Sequence, residues 1–219
     1  MTVIIDYLYM NCYSNFCMSG EHDNNRRKTY TAQSYYHIYN RGINKQEIFL
    51  DDDDYQQFMG IMKRQLSEKP TLDKINKRHY ANYYGDIELL AFALMPNHFH
   101  ILVYQESHEA IAQFMKSLLT GYSKFFNKKY ERVGPLFQGR YRAEKICGDD
   151  TVAIVSRYIH LNPRYWEDSP RTSIDYYSGK RRAFWVNPDK VMAGFKDFAG
   201  YKKFLMEFDS DNSSDIFEF

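Results

Sequence analysis

The chain has 219 residues, of which 44% are hydrophobic, and this is enough to bury one substantial core. Its formal net charge is only +1, so a nucleic-acid partner would have to be held by a local basic patch rather than by a global positive field. No run of residues approaches the roughly 18 apolar residues that a membrane span needs, which argues against an integral membrane protein.

The two ends of the chain differ from its middle in composition. Residues 1–30 include a polar and basic stretch without clear periodicity, and we expect a loosely ordered extension there. The first residues lack the basic region of a secretory signal, and three cysteines are too few for a disulfide framework, so a cytoplasmic location is expected. Residues 207–219 carry five acidic residues and no basic one, which indicates an acidic tail. One domain is expected between them, over residues 31–206.

The predicted elements begin with a strand. Residues 35–40 are rich in β-forming residues and end at Arg41-Gly42, a turn signal. Apolar residues spaced by three and four follow the acidic run 51–54, which predicts an amphipathic helix with acidic residues at its positive N-terminal end. Two apolar runs, 87–95 and 98–104, flank the turn Pro96-Asn97 and predict a hairpin at the centre of a sheet, buried on both faces.

Two further helices are predicted in the second half of the chain. A strong amphipathic pattern predicts the first from about 109 to 130, with Ser107 as the candidate N-cap. The second is expected from about 151 to 161, with Asp149 or Asp150 at its cap and Pro163 just beyond its end. Strand, helix, hairpin, helix and helix in this order predict the α+β class, with helices covering an antiparallel sheet.

The clearest chemical signal is the sequence His98-Phe99-His100. On a strand, residues i and i+2 project from the same face, so two imidazoles would lie side by side and could bind one divalent metal ion. Phe99 would then point to the opposite face and anchor the strand. The alternative is a pair of core or surface histidines without a metal.

A second signal lies at the end of the last predicted helix. Tyr158 and Asn162 are four residues apart and share a helix face, so a phenol and an amide oxygen could supply a nucleophile and a third metal ligand. Each has a plainer explanation, since a helical tyrosine usually packs and an asparagine before proline is a common helix stop. His160 lies about 200° around the helix from Tyr158 and is interpreted as structural.

The third signal is a stretch in which basic and aromatic residues alternate. Residues 116–145 contain eight Lys or Arg residues and two acidic ones, with six aromatic residues between them. Cations for phosphates and rings for bases suit single-stranded nucleic acid. An amphipathic helix with a solvated basic face explains the same pattern, so the sequence leaves both explanations open.

Four segments of the chain resemble single-tyrosine HUH transposases in their order and approximate spacing. They are YHIYNRG (36–42), LMPNHFHILV (94–103), FNKKYERVGPLFQGRYR (126–142) and RYIHLNPR (157–164). Within that group the chain is most similar to the branch called REP-associated tyrosine transposases, over roughly residues 30–177. The resemblance implies a ferredoxin-like antiparallel sheet with helices packed on one face and the HUH motif on a central strand.

The resemblance also implies an activity and the residues that perform it. It implies metal-dependent cleavage and rejoining of single-stranded DNA through a covalent 5′-phosphotyrosine, on hairpin-bearing DNA that is REP-like or an insertion-sequence end. Tyr158 matches the nucleophile, and His98, His100 and Asn162 match the positions that bind Mg²⁺ or Mn²⁺. A monomer or homodimer without a membrane partner is expected. The alternatives are a non-cleaving hairpin-binding protein on the same fold and an unrelated metallohydrolase.

The residues expected to contact DNA come from the basic stretch and from the end of the first strand. Arg140 and Arg142 lie in the family-like GRYR segment and suit phosphate contacts. The full expected set is Lys124, Lys128, Lys129, Arg132, Arg140, Arg142, Asn40 and Arg41. For Asn40 and Arg41, a strand-ending turn is the alternative explanation.

Overall fold

The computed structural model describes residues 30–73, 75–163 and 165–209. The predicted N-terminal extension up to residue 29 and the tail from residue 210 lie outside the described residues. Tyr30 is buried, and its hydroxyl donates to the Tyr141 hydroxyl at 2.9 Å. In the described ranges, every helix is too short or too polar to cross a bilayer.

Four antiparallel strands form one sheet in the order β2-β3-β1-β4. Their bounds are Ser34–Arg41 for β1, Ile87–Met95 for β2, His98–Gln105 for β3 and Arg142–Ile146 for β4. The register pairs Arg41 with His98 and Tyr39 with His100, and on the other side it pairs Tyr39 with Arg142. Since directly opposed residues share a face, the two histidines lie on the same surface as alternate residues of β1 and β4.

The sequence predicted a hairpin at the centre of the sheet. The central position is confirmed for β3 but wrong for β2, which is an edge strand. A later segment of the chain covers that edge. The Leu94 N–H donates to the Arg171 carbonyl at 2.9 Å, and the Ser173 N–H donates to the Phe92 carbonyl at 3.0 Å. Because this segment shields the edge, β2 can be a continuous run of apolar residues, a pattern typical of strands buried on both faces.

The helices pack on both faces of the sheet. Helices α1 (Asp52–Gln65) and α2 (Ala110–Lys129) share a core with Phe99 and Ile101, whereas α3 (Asp149–Leu161) packs against the face that holds Leu102. The α+β class and the antiparallel sheet are confirmed. Helices were expected on one face of the sheet, and α3 does not fit this expectation because it packs on the face opposite α1 and α2. The central strands carry apolar residues on both faces, so each face must be shielded from water by a helix.

In the described part of the chain, three α-helices follow α3 and pack on its side of the sheet. They are α4 (Ile174–Tyr177), α5 (Asp189–Met192) and α6 (Phe198–Asp209). All three contribute to the core shared with α3. Helix α6 continues past residue 206, where the sequence predicted the domain to end.

Helix α1 begins in the acidic run 51–54, as the sequence predicts. The Asp51 carboxylate accepts a hydrogen bond from the Asp54 N–H at 3.1 Å, and the Asp54 carboxylate accepts one from the Asp51 N–H at 3.4 Å. This reciprocal capping box satisfies N–H groups that the first turn leaves without partners. Lys129, at the end of α2, adds ion pairs to Asp51 at 2.6 Å and to Asp54 at 2.9 Å, which joins the two helices.

The predicted caps of α2 and α3 are wrong. Glu109 precedes α2, while the Ser107 hydroxyl donates to Asp86 and the Gln105 side chain accepts from the Ile111 N–H at 2.9 Å. Gly148, not an aspartate, is the N-cap of α3. Its φ of +90° is a conformation that only glycine adopts at little cost, which a search for capping carboxylates does not detect.

Candidate active site

The two histidines of the HFH sequence lie side by side on the central strand β3. Their ring centroids are 5.1 Å apart and the ring planes are nearly perpendicular, at 87°. Phe99 between them is fully buried in the core on the other face, as the strand alternation predicts. Helix α3 lies over the histidine face and ends there, which brings its last residues to the imidazoles.

Both nitrogens of His98 face amide oxygens. Nδ1 lies 2.6 Å from Asn97 Oδ1, and Nε2 lies 3.2 Å from Asn162 Oδ1. The Asn97 amide nitrogen donates to the Lys45 carbonyl at 3.3 Å, which keeps its oxygen towards His98. A neutral imidazole has one N–H and therefore satisfies only one of these oxygens. With the proton on Nδ1, the Nε2 lone pair meets the Asn162 oxygen, and a cation between them would relieve that conflict.

His100 is buried and has one unsatisfied nitrogen. Its Nδ1 lies 3.0 Å from Nε2 of His37, a residue of β1 that is also buried. Its Nε2 has no hydrogen-bond partner in the described part of the chain. A buried polar atom without a partner costs about 1–3 kcal/mol, and a ligand bound at this nitrogen would remove that cost.

Burial favours the neutral form of these imidazoles. It lowers the pKa of His37 to about 3. It also lowers the pKa of His100 well below its usual value, with the nearby His37 and His98 rings acting in the same direction. The pKa of His98 is lowered by burial, partly restored by the Asn162 hydrogen bond and lowered again by the Arg41 guanidinium. Neutral imidazoles are the form that binds metal ions.

The donor set fits a divalent metal ion. Cis ligands of an octahedral ion at about 2.1 Å lie about 3 Å apart, which is close to the 3.2 Å between His98 Nε2 and Asn162 Oδ1. Two imidazoles and one amide oxygen leave further positions open, and Mn²⁺ tolerates such mixed ligands better than Mg²⁺. The described residues contain no group of three His, Cys, Asp or Glu side chains placed to hold a metal ion. A third protein ligand beside the two histidines would have to be an amide oxygen such as that of Asn162.

Tyr158 stands at the same cluster. Its partly exposed ring meets His100 edge-on with centroids 5.3 Å apart, and it meets His37 at 5.9 Å. Asn162, one turn further along α3, is 8% exposed and reaches His98. The predicted helix face therefore brings the phenol and the amide to the two histidines within one chain.

A second tyrosine, Tyr39, also approaches His100, with ring centroids 5.7 Å apart. Its hydroxyl donates to the Glu144 carboxylate at 2.7 Å. Burial and the nearby Glu144 raise the pKa of Tyr39 well above its usual value. Tyr39 therefore keeps its proton and donates it in the hydrogen bond to Glu144.

A buried polar network holds the end of α3 in place. His160 is fully buried, with Nδ1 2.7 Å from the Tyr201 hydroxyl and Nε2 2.6 Å from Ser173 Oγ. The Tyr201 hydroxyl also lies 2.9 Å from Ser156 Oγ. His160 thus links α3 to α6 and to the segment covering β2, a structural role that agrees with its position away from Tyr158.

Three of the arginines predicted to bind DNA lie on or near the histidine face. Arg41 and Arg142 are at register positions opposite His98 and Tyr39, and Arg140 is exposed just before β4. The Arg41 Nε donates to Gln138 Oε1 at 2.8 Å, which ties it to the loop that precedes β4. Cations at these places are suited to contacts with a phosphodiester backbone.

The other predicted DNA contacts fall into two groups. Lys124 and Lys128 are exposed on α2, which packs on the face opposite the histidines. Lys129 forms ion pairs with Asp51 and Asp54. Arg132 donates to the side-chain oxygens of Asn127 and Gln46, both at 3.3 Å. The buried Asn40 donates to the Gly139 carbonyl at 3.4 Å. These last three side chains make internal contacts that stabilise the fold.

Four residues at the site were not predicted from the sequence: His37, Tyr39, Asn97 and Glu144. Period-two alternation along YYHIYNR places His37, Tyr39 and Arg41 on one face of β1, and this signal was available. Its meaning depended on the pairing of β1 with β3, which no short motif encodes. Asn97 precedes the HFH sequence directly, but its role depends on the orientation of its amide.

Comparisons with known proteins identify the family. The sequence profile of the family described as "Transposase IS200 like" matches residues 30–162. A search among curated proteins found no significant match. A solved structure of a REP-associated tyrosine transposase bound to a REP hairpin is similar at a TM-score of 0.52 and 15% identity, covering 74% of this chain and 90% of that one.

A second solved structure, of a proposed transposase from Deinococcus radiodurans R1, matches at a TM-score of 0.39 and 16% identity, covering 62% of this chain and 95% of that one. That value is too low to support an argument about the fold. The first structure supports the fold, and the family profile covers more than half of the chain, including both histidines, Tyr158 and Asn162. The resemblance is confirmed, and the chain belongs to the family of IS200-like transposases.

Proposed function

We propose that this transposase cuts and rejoins single-stranded DNA through a covalent bond between Tyr158 and a 5′ phosphate. One observation carries the proposal. The Tyr158 ring lies edge-on against His100, 5.3 Å between centroids, at a cluster of nitrogen and oxygen atoms suited to a divalent metal ion. The proposed nucleophile and the proposed metal ligands all lie in one chain.

The chemistry follows from the residues at the site. A bound Mg²⁺ or Mn²⁺, held by His98, His100 and Asn162, would polarise the scissile phosphate and help a phenol of ordinary pKa near 10 to react. The Tyr158 oxygen forms a bond to phosphorus while the bond from phosphorus to the 3′ oxygen breaks. The phenol gives up one proton and the departing 3′ oxygen takes up one, so no cosubstrate is consumed.

The covalent intermediate explains rejoining without an energy source. A phosphodiester is exchanged for a phosphotyrosine diester, so attack by another 3′-hydroxyl reverses the step and transfers the strand. Helix α3 holds Tyr158 beside His100, one of the proposed metal ligands. A phosphate bound at the metal would therefore meet the phenol within one complex, without a separate encounter in solution. The network around His160 supports that position from the other side of the helix.

The proposed substrate is single-stranded DNA that carries a hairpin. Two observations support this substrate. A similar REP-associated tyrosine transposase is solved bound to a REP hairpin, and this chain carries arginines on or near the histidine face whose charge suits phosphate contacts. Arg41, Arg140 and Arg142 are proposed to hold the strand near the scissile phosphate. The exposed Lys124 and Lys128 are proposed to contact DNA further away, whereas Lys129, Arg132 and Asn40 act in the fold.

The test is adduct formation on hairpin oligonucleotides taken from the DNA that flanks the gene. With Mn²⁺, the wild-type chain is expected to give an adduct that survives SDS. Tyr158→Phe should abolish the adduct, because it removes only the attacking oxygen. Tyr39→Phe is the matched control, since it removes the other phenol beside His100 and should still form the adduct.

Two results would count against the proposal. An adduct that persists in Tyr158→Phe would exclude Tyr158 as the nucleophile. Tight hairpin binding by the wild type, without an adduct at any Mn²⁺ concentration, would favour the alternative of a non-cleaving DNA-binding protein on this fold.

A further inference from the structure

His37 meets His100 in a hydrogen bond whose direction decides whether His100 can bind a metal ion. His37 is 1% exposed, and its Nε2 lies 3.0 Å from His100 Nδ1. The ring planes are inclined by 22° with centroids 5.2 Å apart. This separation is close to the largest that such a nitrogen contact between two five-membered rings permits, so the nitrogens point at one another along the line between the rings.

One hydrogen lies between the two nitrogens, and it is bonded either to His100 Nδ1 or to His37 Nε2. If His100 Nδ1 carries it, His37 Nε2 accepts the hydrogen bond and His100 Nε2 keeps a lone pair. If His37 Nε2 carries it, His100 must hold its own proton on Nε2 and has no lone pair there. His100 Nε2 is the buried atom without a hydrogen-bond partner among the described residues, so an N–H at that position would be left unsatisfied.

His98 shows the same arrangement with a different partner. Its Nδ1 faces Asn97 Oδ1, an acceptor whose orientation is held by the Asn97 amide donating to the Lys45 carbonyl. The proton of His98 is thereby placed on Nδ1, and Nε2 faces Asn162. His37 occupies the equivalent place for His100, reached from the neighbouring strand rather than from the preceding residue.

We propose that His37 is a positioning residue that accepts the Nδ1 proton of His100 and so presents the His100 Nε2 lone pair to a divalent metal ion. The inference rests on the proposed function in one respect, namely that the site binds such an ion. Partners of this kind orient ligating histidines, and their loss typically costs 10–100-fold in metal affinity.

The first test measures Mn²⁺ binding to the full chain by calorimetry, without DNA. His37→Phe keeps a planar ring but removes the acceptor, and it should raise the Mn²⁺ dissociation constant about 10–100-fold. His37→Gln restores an oxygen acceptor and should return the constant to within about threefold of wild type. In a His100→Ala background, His37→Phe should have no further effect, because His37 acts only through His100.

The second test reads the tautomer directly and needs no metal or activity. Nitrogen-15 spectra of the imidazoles should show His100 protonated on Nδ1 in the wild type and in His37→Gln, with protonation moving towards Nε2 in His37→Phe. Comparison with His100→Ala assigns the signal. A general loss of packing would alter melting temperature without selecting one nitrogen of one ring.

The outcomes separate this inference from the proposed function. Folded His37→Phe with wild-type Mn²⁺ affinity, or a wild-type His100 protonated on Nε2, overturns the positioning role alone. Failure of the wild type to bind Mn²⁺ contradicts the metal site and with it the role of His37. An adduct that persists in Tyr158→Phe contradicts the proposed nucleophile, but with normal Mn²⁺ binding in the wild type it leaves the positioning role of His37 intact.

Discussion

Tyr39 and Tyr158 both contact the ring of His100, yet their surroundings give them different chemistry. Tyr39 donates to a carboxylate and is largely buried, which raises its pKa and keeps its proton in place. Tyr158 is partly exposed, and its ring lies nearly perpendicular to that of His100, on a helix that also carries Asn162. The proposed assignment of Tyr158 as the nucleophile therefore rests on the surroundings of each phenol, since both rings lie at similar distances from His100.

Gly42 shows how tightly the chain turns beside the site. A Cβ added there would lie 2.1 Å from the Gln46 carbonyl oxygen and 2.9 Å from Ile48 Cγ2. The backbone must therefore shift in Gly42→Ala, and the free energy of unfolding should fall by about 2–3 kcal/mol, measured by urea denaturation.

Gly60 is the matched control for that substitution. It lies within α1, and apart from the backbone of that helix and its two chain neighbours, no described atom lies within 4 Å of an added Cβ. Gly60→Ala should leave stability unchanged or raise it by about 0.5–1 kcal/mol, because alanine has the higher helix propensity. Equal effects of the two substitutions would show that the close approach at Gly42 is not what requires glycine.

Three secondary-structure elements, β1, β3 and α3, carry the residues of the candidate site. β3 provides the two imidazoles, β1 provides the residue that faces His100, and α3 provides the phenol and the amide. Helix α3 is held by a hydrogen-bonded histidine on its far side, linked to α6 and to Ser173. The part of the chain beyond the family profile thus supports the helix that carries Tyr158.

The arginines at the start of β4 make a prediction about DNA affinity. Replacing Arg140 and Arg142 together by alanine should weaken binding of hairpin DNA and reduce the slope of log affinity against log salt by about 1.4, or about 0.7 for each phosphate that is no longer neutralised. Fluorescence anisotropy at several salt concentrations measures both quantities.

Lys129→Ala is the control for this charge removal. Its ammonium already pairs with Asp51 and with the fully buried Asp54. The salt slope should stay at the wild-type value, while the melting temperature falls because the Asp54 carboxylate is left without its cation. A reduced slope in Lys129→Ala, or an unchanged slope in the double arginine variant, would contradict this assignment.

For the whole molecule, buried neutral histidines predict a loss of stability in acid. Burial lowers the pKa of His37 and of His160 to about 3, against an unfolded value near 6.5. Between these values the unfolded chain binds protons that the folded chain does not. The free energy of unfolding should therefore fall as pH drops below about 6.5, by up to about 1.4 kcal/mol per pH unit for each histidine.

Urea denaturation between pH 7 and pH 5, in the presence of a chelator, measures this dependence. His160→Gln should reduce the slope, because it removes one of the two buried imidazoles. Constant stability from pH 7 to pH 5 would show that the two buried imidazoles take up protons in the folded state.

The sequence predicts those parts of the site that depend on local periodicity. Alternation along a strand places His98 and His100 together, and a spacing of four on a helix pairs Tyr158 with Asn162. Contacts between distant segments are different: the meeting of His37 with His100 depends on strand register, and the edge position of β2 depends on sheet order. The roles of Gly148 and Lys129 were missed for a related reason, since a positive φ and an ion pair are properties of the folded chain.

The most direct test of the central claim is to locate the DNA on the protein. The SDS-stable adduct is digested with protease and nuclease, and mass spectrometry identifies the peptide that carries the nucleotide. We predict a 5′-phosphate diester on the Tyr158 oxygen in the peptide from the end of α3. A nucleotide attached to Tyr39, to another tyrosine or to a different side chain would contradict the account.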